Sequence, residues 1–193
     1  MGVHREIDRT PPAFVTAVEQ LTRAELRPEV LADVMPAPQR IAPHAHALSG
    51  DVVVDDEDLG TGRFILLHDP AGNDAWNGEF RCVTFAKADV EAEMAADPAL
   101  HAVGWSWLTD ALDAHGADFT AASGSVTVVR TEGFGEMADD DADAQIEVRA
   151  SWTPTSELGA HARAWSDLLC ALAGLPPLAP GVIPLQRRRG GRR

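Results

Sequence analysis

Hydrophobic periodicity switches between helical and strand spacing along this chain, and the order of the switches restricts its fold more than any single motif. The order runs helix, three strand-like runs, helix, two strand-like runs, helix. Thr10-Pro11, Asp97-Pro98 and Thr153-Pro154 each place a capping residue before a proline, the arrangement that opens a helix, because proline lacks only an N–H that has no partner in the first turn. Phe14, Val18 and Leu21 then form one apolar stripe, and Leu100, Val103, Trp107, Leu108, Ala111 and Leu112 fill a second helix expected over residues 98–115. Leu158, Ala162, Trp165, Leu169 and Leu172 form the third stripe. Gly116 and Gly174 stand where helices two and three should stop.

Between the helices, strands are expected at residues 45–54, 63–68, 79–86, 125–131 and 146–152. Residues 63–68 are apolar on both faces, as in a central strand, whereas Ile146, Val148, Ala150 and Trp152 alternate with Glu147, Arg149 and Ser151, as in a strand with one wet face. Connections between successive strands are too short for helical crossovers, so the sheet should be antiparallel. The expectation is an α+β domain over residues 1–174, with a five-stranded antiparallel sheet and three helices in the order α-β-β-β-α-β-β-α. A proline-rich arm and an arginine-rich tail over residues 175–193 should complete the chain. The arm's apolar residues should pack on a surface of this copy or a second one.

The chain of 193 residues carries a net charge of −14, yet five arginines crowd its last eight positions, which leaves the remainder at −19. An acidic body repels phosphate backbones, so nucleic acid is disfavoured as a partner except weakly through the C-terminal arginines. No run of apolar residues approaches the length of a membrane span and no signal-peptide pattern opens the chain, so a cytoplasmic location is expected. Cys82 and Cys170 form no CxxC pair and read as buried thiols.

Few motifs carry chemistry. His44-x-His46 puts two imidazoles on one face of a strand, a zinc-compatible spacing with no third ligand nearby. The acidic run of residues 139–143 imitates a calcium loop but has Ala144 where the turn needs glycine and Ala150 where a bidentate glutamate belongs, so a solvated, mobile tip is expected there. Gly60-Thr61-Gly62 precedes no helix and reads as a turn rather than a phosphate cradle. No nucleophile elbow or HExxH is present, so neither a cofactor nor a resident metal is expected, and the reading leans away from an enzyme. The residues singled out as a recognition surface are Trp76, Arg81, Trp105 and Arg149. Trp105 and Trp107 lie about 200° apart on their helix and should not share one narrow face.

Trp76-Asn77-Gly78-Glu79-Phe80-Arg81, Val103-Gly104-Trp105-Ser106-Trp107-Leu108, the stretch from Ile146 to Pro154 and Ala173-Gly174-Leu175-Pro176-Pro177-Leu178 resemble an actinobacterial family known as domain of unknown function number three thousand. The resemblance spans most of the chain and brings no reaction or ligand with it. The element order is in turn similar to the type III secretion chaperone-like fold, whose members dimerise and bind polypeptides. That likeness implies a non-enzymatic protein-binding module, chaperone- or adaptor-like, acting as a homodimer with a protein partner. One alternative is a small-molecule domain or enzyme with a pocket between the sheet and the second helix, built around Arg81, Trp105 and Arg149. Another is an accessory factor in RNA metabolism that acts through the arginine tail.

Overall fold

The computed structural model describes residues 10–137 and 143–178. One sheet carries the architecture, with strands β1 (Val30–Met35), β2 (His44–Val54), β3 (Glu57–Asn73), β4 (Gly78–Asp89), β5 (Phe119–Arg130) and β6 (Ala144–Pro154). Its spatial order is β1-β2-β3-β4-β6-β5, and every neighbouring pair is antiparallel. Helices α1 (Pro12–Arg23), α3 (Leu100–Ala114) and α4 (Leu158–Leu172) accompany it, together with a single turn α2 (Ala92–Ala95) and a short 3-10 turn, Gly135–Met137. Among the described residues the count is therefore six strands and four helices, against the five and three expected.

The additional strand, β1, was hidden because its side chains are mostly exposed and its run of Val30 to Met35 is broken by Ala32 and Asp33. Helix α2 is one turn in an alanine-rich stretch, too short to show a stripe. Thr153-Pro154 does not open a helix: both residues stay in β6, opposite Thr120 and Phe119, and Thr155 N donates to Asp118 O at 2.8 Å. Strand pairing thus keeps the dipeptide extended, and α4 begins only at Leu158. Proline is tolerated there because β4 pairs with β6 only as far as Trp152, and with Thr155 N donating toward β5 the position of Pro154 owes no ladder hydrogen bond. Gly60-Thr61-Gly62 is likewise strand rather than turn; the turn lies earlier, at Asp55 and Asp56, whose φ angles of 52° and 69° suit a tight two-residue hairpin.

Among the described residues, helices cover one face of the sheet only. Toward them point Leu48 and Val52 of β2, Phe64 and Leu66 of β3, Cys82, Ala86 and Ala88 of β4, and Ile146, Val148 and Trp152 of β6, all buried. Helix α4 is the central plug. Its Trp165 and Leu169 press on Gly50 and Gly62, where an added Cβ would lie 2.7 Å from the Trp165 ring and 2.4 Å from Leu169 Cδ2 respectively. Phe64 links the two large indoles, with ring centroids 6.0 Å from Trp152 and 5.8 Å from Trp165. Gly116 and Gly174, at φ of 60° and 75°, end α3 and α4 in the left-handed conformation expected of them.

Candidate functional site

Successive strand residues point to opposite faces, so the register that buries Phe64, Ala86 and Val148 under the helices turns Arg63, Phe85 and Arg149 to the other side. These three are direct cross-strand partners on β3, β4 and β6, with Ser125 of β5 completing the row. The adjacent row is Ile65, Val83, Ser151 and Ser123. Together they line a shallow depression of about 780 Å3 that opens to solvent. Its centre is apolar and half-buried, through Ile65, Val83 and Phe85, and its flanks carry guanidinium and hydroxyl groups.

Arg149 lies over the Phe85 ring, its Cζ 5.3 Å from the centroid, and donates through Nε to Glu147 Oε1. That hydrogen bond with Glu147 raises the pKa of the guanidinium, which stays exposed enough to meet a ligand. Lys87 stands one row further, opposite Glu147. Four cationic side chains, Arg63, Arg81, Lys87 and Arg149, thus share one face of a protein with a net charge of −14.

Arg81 takes a different part. It is buried, at 7% exposure, and its guanidinium donates to Ala121 O at 2.9 Å, Thr153 Oγ1 at 3.1 Å, Ser123 Oγ at 3.3 Å, and Ser151 Oγ and O at 2.7 and 3.3 Å. Among the described residues no carboxylate joins this set, and burial lowers the arginine pKa from its ordinary value. Ala121 reaches the guanidinium because the strand bulges between Thr120 and Ser123, with Ala121 at φ 50°. Arg81 thereby orients the hydroxyls of Ser123 and Ser151 at the edge of the depression.

The four residues singled out in the sequence are dispersed. Trp76 is half-buried at the β3–β4 turn, where its carbonyl accepts from Thr153 Oγ1. Trp105 packs on the helix side, its ring over Gly124, where an added Cβ would lie 2.7 Å from Cζ3. Trp107 is half-buried and also packs against the core. Arg81 and Arg149 point away from the helices, so no pocket between sheet and helix joins them to Trp105. Only Arg149 of the four meets the depression with an exposed charged group. Arg63, Phe85, Ser123 and Ser151 were not singled out as site residues, although Ser151 was read on the wet face of its strand. Their signal was the residues alternating with the buried set, visible only once the register of the neighbouring strands is known.

The histidines of β2 and β3 meet in the packing of the sheet. His44 and His46 do share a face of β2, but the imidazoles assemble differently: His68 is buried and stacks on Phe80 at 4.2 Å, with Phe14 and His44 at 5.7 and 5.8 Å. Desolvation lowers the pKa of both His46 and His68. Among the described residues no group of three His, Cys, Asp or Glu side chains is placed to hold a metal ion. The acidic run 139–143 lies outside the described residues except for Asp143, whose carbonyl accepts from Thr131 N at 2.7 Å. No helix among the described residues is long and apolar enough to cross a membrane.

Residues 10–183 match a family model described as a protein of unknown function, DUF3000, and the chain belongs to that family, as its tryptophan- and proline-containing stretches led one to expect. No curated protein and no solved structure matches the chain.

Proposed function

We propose, for a chain whose family carries no assigned activity, that it is a non-enzymatic protein-binding module. Its recognition surface is the open sheet face, and the occupant is a polypeptide segment bearing acidic and large apolar side chains. The observation that carries this reading is the Arg63–Phe85–Arg149 row, in which arginines on β3 and β6 flank Phe85 on β4 and the Arg149 guanidinium lies over its ring, in a strongly acidic protein. Charge complementarity of this kind steers encounter and rejects basic partners. The half-buried Ile65, Val83 and Phe85 supply the apolar centre that recognition surfaces need.

Selection from a random peptide display library on the immobilised protein tests this. The recovered sequences should be enriched in Glu or Asp next to Leu or Phe, and the enrichment should vanish with Arg149→Glu. Enrichment of basic sequences, or none that depends on Arg149, would oppose it. A second reading, a small dicarboxylate held between Arg63 and Arg149, draws on the serine hydroxyls that Arg81 orients. It predicts that free succinate or glutarate binds saturably without any peptide context.

A further inference from the structure

We propose that the apolar arm of residues 179–185 docks on its own chain, in the groove between the end of α1 and the uncovered face of β1. This groove encloses about 940 Å3, with Leu21, Leu26, Val34 and Leu48 in its apolar lining. It exists because the helix layer stops short of the sheet edge. Val34 shares a face with its partner Leu48, yet Val34 is 65% exposed and Leu48 only 6%. Leaving such residues uncovered forfeits the burial that the rest of this face obtains.

The chain's own path leads there. After Gly174, Leu175 N donates to Cys170 O at 2.9 Å and the Leu175 side chain packs on the core. The carbonyl of Pro176 then accepts from Arg27 Nη1 at 3.1 Å, and Arg27 is itself part of the groove wall. Arg27 is held in turn by a bidentate contact with Glu29, at 3.1 and 2.8 Å, so the mouth of the groove is fixed. The described chain ends two residues later, at Leu178.

Residues 179–185 suit the space in length and chemistry. They contain two prolines, and in an extended polyproline conformation they span about 22 Å. The six-residue β1 is about 20 Å long. Val182, Ile183 and Leu185 match the apolar lining, and the five arginines beyond match the acids of the rim, Glu25, Asp33, Asp55 and Asp56. The family match extends through residue 183 and stops before the arginines. A tether this short favours the chain's own groove over that of a second copy.

Hydrogen exchange read by mass spectrometry on the full chain and on a chain truncated after Leu178 tests the assignment. Amides of residues 21–35 should exchange roughly tenfold or more faster in the truncated protein, at unchanged oligomeric state by light scattering. Should the truncated chain fail to fold, Ile183→Asp in the full chain should produce the same local acceleration while the amides of β3 and β4 keep their rates. Equal exchange in the full chain and its variants would overturn the proposal. So would protection of residues 21–35 that disappears on dilution, which would assign the groove to the arm of a second copy.

Discussion

The indole Nε1–H of Trp152 donates to Nδ1 of His161 at 3.0 Å, deep in the core beneath α4, where both residues are wholly buried. With Nδ1 occupied as an acceptor, the ring proton resides on Nε2, which donates to Ser156 Oγ at 3.3 Å. His161 is therefore held neutral, and burial pushes its pKa down from 6.5 to about 4.

Burial of this imidazole makes stability pH-dependent with a definite sign. The unfolded chain takes up a proton near pH 6.5 and the folded one only near pH 4, so stability is complete above about pH 6.5 and falls as the pH drops toward 4. The full effect is up to about 3 kcal/mol. His161→Gln retains an acceptor for Trp152 and does not titrate, so urea titrations across this range should show a shallower loss in the variant. His46 and His68, shifted the same way, should leave a residual slope. Parallel profiles for the two proteins would contradict the assignment.

Arg81 should matter for stability rather than as a ligand contact. Arg81→Met removes five hydrogen bonds that join β4, β6 and the β5 bulge, and a loss of about 2–4 kcal/mol in denaturant unfolding is expected. Arg81→Lys should recover only part of it, because an ammonium cannot reproduce the planar fork. Full recovery by lysine would show that charge alone suffices.

The two kinds of tryptophan should separate cleanly. Trp165 is wholly buried against Phe64 and the Gly50 backbone, so Trp165→Ala should cost about 3–5 kcal/mol. Trp76 contributes its carbonyl to Thr153, a contact that alanine keeps, and Trp76→Ala should cost less than about 1 kcal/mol. Denaturant titration of both variants decides it.

Gly62 lacks a side chain because α4 needs the space. Gly62→Ala places a Cβ 2.4 Å from Leu169 Cδ2 and 3.0 Å from Phe85 O, an overpacking expected to cost about 1–3 kcal/mol in denaturant unfolding. Gly116→Ala is the comparison: nothing lies within 4 Å of its added Cβ, so its loss should reflect only the positive φ of 60°. If Gly62→Ala is neutral, Leu169 yields and the layer contact is looser than its geometry implies.

Much of the fold was legible because burial and periodicity coincide in it. Residues 63–68, apolar on both faces, are indeed in the interior strand β3, and the α4 stripe of Leu158, Ala162, Trp165, Leu169 and Leu172 is buried throughout. β1 was not legible, since an exposed edge strand has no apolar alternation to display. Thr153-Pro154 misled because a capping dipeptide has the same local chemistry in a strand end, and only pairing with Phe119 and Thr120 decides between them. The site was the least visible part. Arg149 was found as a charged residue in a strand, but Arg63 and Phe85 join it only through the register of β3, β4 and β6, a long-range property. Of the arm expected over residues 175–185, only residues 175–178 are described; Leu175 is packed and Leu178 is 39% exposed.

The most direct test of the open sheet face as a recognition surface is a fluorescence anisotropy titration with two labelled peptides of about ten residues, one alternating Glu with Leu and Phe, the other Lys with Leu and Phe. The acidic peptide should bind saturably and lose affinity with added salt, and the Arg63→Glu, Arg149→Glu double variant should weaken it by roughly tenfold or more at unchanged stability. Equal binding of both peptides, or an affinity indifferent to the double variant, would contradict the account.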